Sequence, residues 1–291
     1  MQGIYPNNFL ALDRELSDYG KAKVAVLPIA YDATVSYGSG ARNGPRAIIS
    51  ASSQVEFYDH DFRCEPCQAG IATLEEIQQQ SSGPEAMMTV IESAAREIIG
   101  DGKFLMALGG EHSISFPLVK AHRRKYPDLT VLQIDAHSDQ RDEYQGSIYS
   151  HACVMSRIGE ICPFVTVGAR SFCDSENERR AFKDDRIIRP REIRGDPKTI
   201  SNVLSMLSSD IYITFDVDGL DPSVMPAVGT PEPGGLFWDE TIDFLMKVGR
   251  EKRIVGGDVV ELAPIPGLIY PDFTAARLVY KIISIALRGL I

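Results

Sequence analysis

Short apolar, β-branched runs alternate along this chain with longer amphipathic segments, the rhythm of βαβ units that build a parallel sheet covered on both faces. The strand candidates are Lys23 to Ile29, Phe104 to Leu108, Thr130 to Ile134, Phe164 to Val167, Ile211 to Phe215 and Ile254 to Val260. Helices are expected over Pro45 to Ser52, Pro84 to Ile99, Phe116 to Lys125, Glu176 to Asp184, Pro197 to Leu207, Trp238 to Arg250 and, closing the chain, Phe273 to Leu287. Pro45, Pro84 and Pro197 each stand at an expected first helical position, where a missing N–H costs nothing. No repeat or low-complexity linker divides the 291 residues, and 44% of them are hydrophobic, enough for a substantial core. The expected fold is therefore one α/β domain over residues 1–291, a three-layer sandwich with a central, mostly parallel β-sheet flanked by helices.

Composition removes several classes of function. No apolar run approaches the roughly 20 residues that cross a bilayer, and Met1 to Leu16 lacks a basic segment followed by an apolar stretch. A cytoplasmic protein with no membrane partner is expected. The five cysteines are odd in number and read as reduced thiols, and the Cys64/Cys67 pair lacks a second CxxC or a nearby histidine to complete a zinc site. A net charge of −10 without a basic stripe excludes a nucleic-acid surface and suits a small cationic partner.

In an open parallel sheet, ligands bind beyond the carboxyl ends of the strands. Three predicted strands run straight into acidic or imidazole groups there: Gly109-Gly110-Glu111-His112-Ser113, Asp135-Ala136-His137-Ser138-Asp139, and Asp216-Val217-Asp218-Gly219-Leu220-Asp221. Of five histidines in the chain, His112, His137 and His151 fall in or just after these segments. Alternation along an extended stretch would turn Asp135, His137 and Asp139 to one side, and Asp216 and Asp218 likewise. Two such carboxylates about 4 Å apart repel by on the order of 4 kcal/mol at an effective dielectric of about 20, so cations must sit among them. Two divalent ions would balance four aspartates, and the histidines favour a first-row transition metal.

Any one of these pieces has an ordinary structural reading, as a cap, a solvated loop or a core histidine. An EF-hand from Asp216 fails because Leu220 takes a ligand position and Asp221 the position that requires glycine. There is no GxSxG elbow to activate Ser113 or Ser150, no P-loop, and Gly38, Gly40 and Gly44 miss the dinucleotide spacing by one residue. Metal-assisted hydrolysis remains as the reaction class.

These blocks resemble the ureohydrolase family of arginases, agmatinases and formiminoglutamases. The resemblance rests on GGEHS, DAHSD and the stretch Asp216 to Gly235 (DVDGLDPSVMPAVGTPEPGG), together with Ser36 to Ser52 and Val259 to Pro264, and so spans nearly the whole chain. It implies an arginase-like fold and two Mn2+ per subunit, one held by His112, Asp135, Asp139 and Asp216 and the other by Asp135, His137, Asp216 and Asp218. It also implies that His151, Glu261 and Asp139 are catalytic: Glu261 as the guanidinium-binding carboxylate, His151 as a proton shuttle, and Asp139 at the reacting centre as well as in the ligand set. Ala152 follows the shuttle histidine where many relatives carry glycine. Trimers or hexamers are the family's expected homo-oligomers.

The resemblance narrows the substrate to a small cationic guanidino compound. The loop Gln140 to Ser150 lacks the SGN run with which arginases meet an amino-acid end, and looks like the agmatinase branch. Agmatine, giving putrescine and urea, is therefore the expected substrate; aminopropylagmatine, guanidinobutyrate and arginine are the alternatives. Glu143 and Tyr144 are candidates for holding the far amine. A metal-dependent polyamine-binding homologue without catalysis, and an amide deacetylase, are the readings of other classes.

Overall fold

The structure, a computed structural model, describes residues 6–173 and 185–288. The elements in chain order are α1 (Arg14–Ser17), β1 (Val24–Ile29), α2 (Gly44–Ser52), β2 (Ile71–Thr73), α3 (Pro84–Gly100), β3 (Phe104–Gly109), α4 (Ser115–Lys125) and β4 (Thr130–Ile134). They continue with α5 (Val154–Gly159), β5 (Phe164–Val167), β6 (Ile187–Ile188), α6 (Pro190–Gly195), α7 (Pro197–Met206), β7 (Asp210–Asp216), α8 (Trp238–Glu251), β8 (Arg253–Val260) and α9 (Tyr270–Ala286).

Among the described residues eight strands form one sheet in the order β2-β1-β3-β8-β7-β4-β5-β6, and every ladder between neighbours is parallel. Side chains alternate across it, so one strand feeds two cores. Val24 and Val26 of β1 pack with Ile48 of α2, Val203 of α7, Phe244 of α8 and Leu278 of α9. Ala25 and Leu27, one residue out of phase, pack with Met87 and Ile91 of α3, Leu118 of α4 and Met155 of α5. The result is the expected sandwich of helix, sheet and helix layers.

Each of the six strand candidates is present. The expected helices are also found, apart from Glu176 to Asp184, which lies outside the described residues. Pro84 and Pro197 open α3 and α7, whereas Pro45 is the second residue of α2. The closing helix begins at Tyr270, three residues earlier than expected, with Pro271 in its first turn. Not anticipated were β2, β6 and the short helices α1, α5 and α6, which are too brief for a hydrophobic period to show.

Two close approaches explain glycines near the sheet. A Cβ at Gly110 would run into the carbonyl oxygen of Tyr31, and one at Gly256 of β8 into the imidazole of His122 on α4. His122 is fully buried, with Nδ1 bonded to the Leu118 carbonyl at 2.8 Å, so it has little room to yield. Gly256→Ala is expected to destabilise the protein by about 2 kcal/mol through overpacking, read as a lower urea midpoint at unchanged slope. His122→Ala in the same chain should recover part of that loss by opening the space.

Candidate metal centre

The carboxyl ends of the four central strands, β3, β8, β7 and β4, are adjacent and converge on one cleft. Gly110, Glu111 and His112 follow β3, Asp135 to Asp139 follow β4, Asp216 ends β7, and Glu261 follows β8. His112 opens a short 3-10 turn, His112–Ile114, and Asp218 lies within another, Val217–Gly219.

The anticipated residues do gather. Oxygens of Asp135, Asp139 and Asp216 lie 3.0, 3.1 and 3.6 Å from His112 Nδ1, and His137 Nδ1 lies 3.0 Å from Asp218 and 3.6 Å from Asp135. Two compact donor groups result: His112, Asp135 and Asp216, and Asp135, His137 and Asp218, each with donor atoms within 4.8 Å of one another. Asp135 belongs to both.

The means of convergence differs from strand alternation. Asp139 has φ of 52° and Glu261 φ of 66°, the left-handed region that non-glycine residues seldom occupy. The chain therefore turns sharply after Ser138, and the Asp139 carbonyl accepts the Met155 and Ser156 amides at the start of α5. Asp218 reaches the site from a 3-10 turn rather than an extended stretch.

A further layer of polar groups aims the donors. The Gln133 side chain donates to Asp135 Oδ2 at 2.7 Å and itself accepts from Thr166. Backbone amides of His137, Ala136 and Asp218 donate to Asp135, Asp218 and Asp216 respectively. His112 Nε2 lies 2.9 Å from the Thr214 hydroxyl, which donates to Asp258 at 2.7 Å, and Asp258 also accepts from Tyr212. With the Thr214 hydrogen committed to Asp258, Nε2 of His112 carries the hydrogen and Nδ1 presents a lone pair to three carboxylates. A lone pair among anions is stable only with a proton or a cation between them, so the donor set fits divalent metal ions. Arg170 binds the backbone carbonyls of Gly168, Asp218 and Glu232, tying two site loops together. Sequence reasoning did not find Gln133, Thr214, Asp258 or Arg170, because each is an ordinary polar residue until the strands place it.

Burial and crowding shift the acids and imidazoles of the centre strongly. Burial, then the Asp135 charge, pushes the Asp139 carboxyl up to about 6. Burial, then Glu111, pushes Glu261 up to about 8, and burial with Asp218 beside it holds Asp216 well above the usual range. Burial opposes protonation of His112 and His137, yet the aspartates around them prevail and raise both. In contrast His151 is lowered to about 4 by burial and by the neighbouring His112 and His137.

The cleft opens into a cavity of about 310 Å3 lined by His137, Asp139, Asp216 and Asp218 together with Tyr144, His151, Glu232 and Glu261. Tyr144 meets the His151 ring edge-on at 6.1 Å, and the Arg141 guanidinium lies 4.6 Å from the Tyr144 ring centre. Glu143 is exposed and is not among the lining residues. The Cys64/Cys67 pair lies elsewhere, and no metal-capable group found among the described residues includes a cysteine. No helix among the described residues is long and apolar enough to cross a membrane.

A parallel sheet with carboxylates and imidazoles converging over its central strands is the frame of a metal-dependent hydrolase. The chain belongs to the arginase family, whose sequence profile matches residues 22–284, and it is a ureohydrolase of that family. It is 37% identical over 287 residues to the N(1)-aminopropylagmatine ureohydrolase of Synechocystis, covering 96% of this chain and 94% of that one. To the enzyme of the same name from Thermus thermophilus it is 40% identical over 274 residues, covering 94% and 92%. The crystal structure of agmatine ureohydrolase from Thermoplasma volcanium superposes with a TM-score of 0.85 at 29% identity, covering 98% and 96% of the two chains.

The signs of the shifts predict how metal and pH act together. Asp139 and Glu261 bind protons in the folded state at pH values where the unfolded chain has released them, so metal-free stability falls as pH rises from about 4 to about 8. The raised histidines add loss of the same sign above about 6.5, their unfolded value. Divalent ions replace those protons, so saturating Mn2+ should raise the melting temperature more at about pH 8 than at about pH 5. Equal increments in a thermal melt series would contradict this.

Proposed function

We propose that this ureohydrolase releases urea from a guanidino amine with an extended tail, of the aminopropylagmatine type, using two Mn2+ ions. His112, Asp135, Asp139 and Asp216 would hold one ion, and Asp135, His137, Asp216 and Asp218 the other. The observation that carries the metal reading is the pair of His/Asp donor groups joined through Asp135. When bound, the ions supply hydroxide at neutral pH.

The protein's own groups do the rest. Glu261 receives the guanidinium, whose planar N–H fork matches a carboxylate, and this orients the carbon for attack. Its backbone strain is anchored by its Oε1, which accepts the His112 amide at 2.7 Å, and by its own amide, which donates to Gly110. His151 lines the same cavity and protonates the departing amine. Asp139 stands at the reacting centre as a ligand and as part of its negative wall.

The tail assignment departs from the agmatine expected from the loop. It is supported by the two relatives at 37% and 40% identity, both aminopropylagmatine ureohydrolases. Glu232 is a lining carboxylate outside the metal groups, and its Oε1 accepts from Ser171 at 2.9 Å. We assign it to a tail nitrogen. Agmatine is the second reading, favoured by the close superposition on the Thermoplasma volcanium enzyme.

Urea release by Mn2+-loaded protein should be fastest with aminopropylagmatine, followed by agmatine, with arginine about a hundredfold lower in kcat/KM because its carboxylate would stand in a cavity lined by Glu232 and the other acids. Comparable efficiency for arginine would overturn the assignment, and silence towards a whole guanidine panel would favour a binding protein. Asp135→Asn should lower bound manganese at both positions, whereas His151→Asn should keep the metal and lose about a hundredfold in kcat. Metal analysis on the assayed samples separates the two, and bound metal lost from His151→Asn would make that residue a ligand.

A further inference from the structure

The loop after β1 passes close to the candidate shuttle. Thr34, on that loop, makes four contacts that bear on His151. Its hydroxyl accepts the His151 backbone N–H at 3.0 Å and lies 3.1 Å from His151 Nδ1. The same hydroxyl donates to Glu111 Oε1 at 2.8 Å, and the Thr34 amide donates to Glu111 Oε2 at 2.6 Å. Glu111 also accepts from the Ser113 hydroxyl at 2.5 Å and is fully buried.

A hydroxyl has one hydrogen and two acceptor lone pairs. Three donors converge on the two oxygens of Glu111, which act as acceptors towards the Thr34 amide, the Thr34 hydroxyl and the Ser113 hydroxyl. Thr34 therefore spends its hydrogen on Glu111, and both of its lone pairs face His151. An acceptor 3.1 Å from Nδ1 requires a hydrogen on Nδ1. The Ser150 hydroxyl lies 3.5 Å from the same nitrogen, at the outer limit of a hydrogen bond, and so competes weakly.

We propose that Thr34, backed by Glu111, is a positioning residue that holds His151 as the Nδ1–H tautomer and leaves Nε2 as its working nitrogen. The proposal rests on the reading of His151 as proton shuttle. Under it, Nε2 takes up a proton from solvent water entering the cavity and gives that proton to the departing amine nitrogen, while the Nδ1–H bond is unchanged throughout. The hydrogen bonds also fix the ring plane and the backbone of His151 together, because one oxygen accepts from both. A histidine with a wandering tautomer would spend part of each cycle with the wrong nitrogen bare.

Two measurements test this. In 15N-histidine-labelled protein loaded with diamagnetic Zn2+, with the His151 signal assigned by its absence from His151→Asn, the nitrogen shifts should report a protonated Nδ1 and a bare Nε2. The opposite tautomer overturns the proposal, whatever His151 does in catalysis. Thr34→Val should lower kcat about tenfold with KM within about twofold and bound manganese unchanged, and Thr34→Ser, which keeps the hydroxyl, should restore kcat to within about threefold. Wild-type turnover in Thr34→Val, or a Thr34→Ser as impaired as Thr34→Val, overturns the catalytic consequence. Full turnover in His151→Asn would instead remove the shuttle reading and leave the tautomer to be judged by its spectrum alone. Should Thr34→Val not fold, the wild-type spectrum and Thr34→Ser still decide.

Discussion

Four aspartates and two histidines crowded over the ends of the central strands form the constraint around which the rest of this protein is arranged. Asp135 is wholly buried, and Asp139, Asp216 and Asp218 nearly so. In water such a group would scatter. Here every one of these carboxylates is either restrained by a backbone amide or side-chain donor, or pressed against an imidazole, and the remaining negative charge calls for cations. Burial and neighbouring acids raise the carboxyls of Asp139, Asp216 and Glu261, the same excess of negative charge that cations would relieve. Protons are the substitute for divalent ions, and a poor one, since they cannot bridge several oxygens at once.

The sheet makes such crowding tolerable by being rigid where the acids are. The four strands that carry them are interior to an eight-stranded sheet and are packed on both faces by helices. At the site, strain sits in the turns that leave those strands, as the left-handed backbones of Asp139 and Glu261 show. Each strained residue is held from two sides: Asp139 through its carbonyl at the start of α5, and Glu261 through bonds to Gly110 and His112. Local strain persists only where neighbours over-determine it, and such places tend to carry chemistry.

The environments of the histidines differ in a way that matches different tasks. His112 and His137 face carboxylates and are drawn towards the charged form, a place a metal ion can take. His151 lies beside hydroxyls and the Tyr144 ring, and burial draws it towards the neutral form. One centre thus contains imidazoles tuned in opposite directions by burial and charge alone.

The sequence by itself determined the class of fold, the six principal strands and the candidate donors. Hydrophobic period and strand-end position are local signals, and GGEHS, DAHSD and DVDGLD each place chemistry within a few residues of a strand terminus. It also pointed to a guanidino substrate through resemblance. Tertiary structure decided what local signals cannot carry. The strand order puts β8 and β7 between β3 and β4, and so brings Glu261 and Asp216 between His112 and Asp135. Asp139 and Asp218 reach the centre by a left-handed turn and a 3-10 turn rather than by alternation, because the chain must bend there to close the cleft. Thr34, Glu111, Gln133, Thr214 and Asp258 became meaningful only once packing set their hydrogen bonds. A hydroxyl or amide has no function until its partner is fixed in space, and most of those partners are dozens of residues away in the chain.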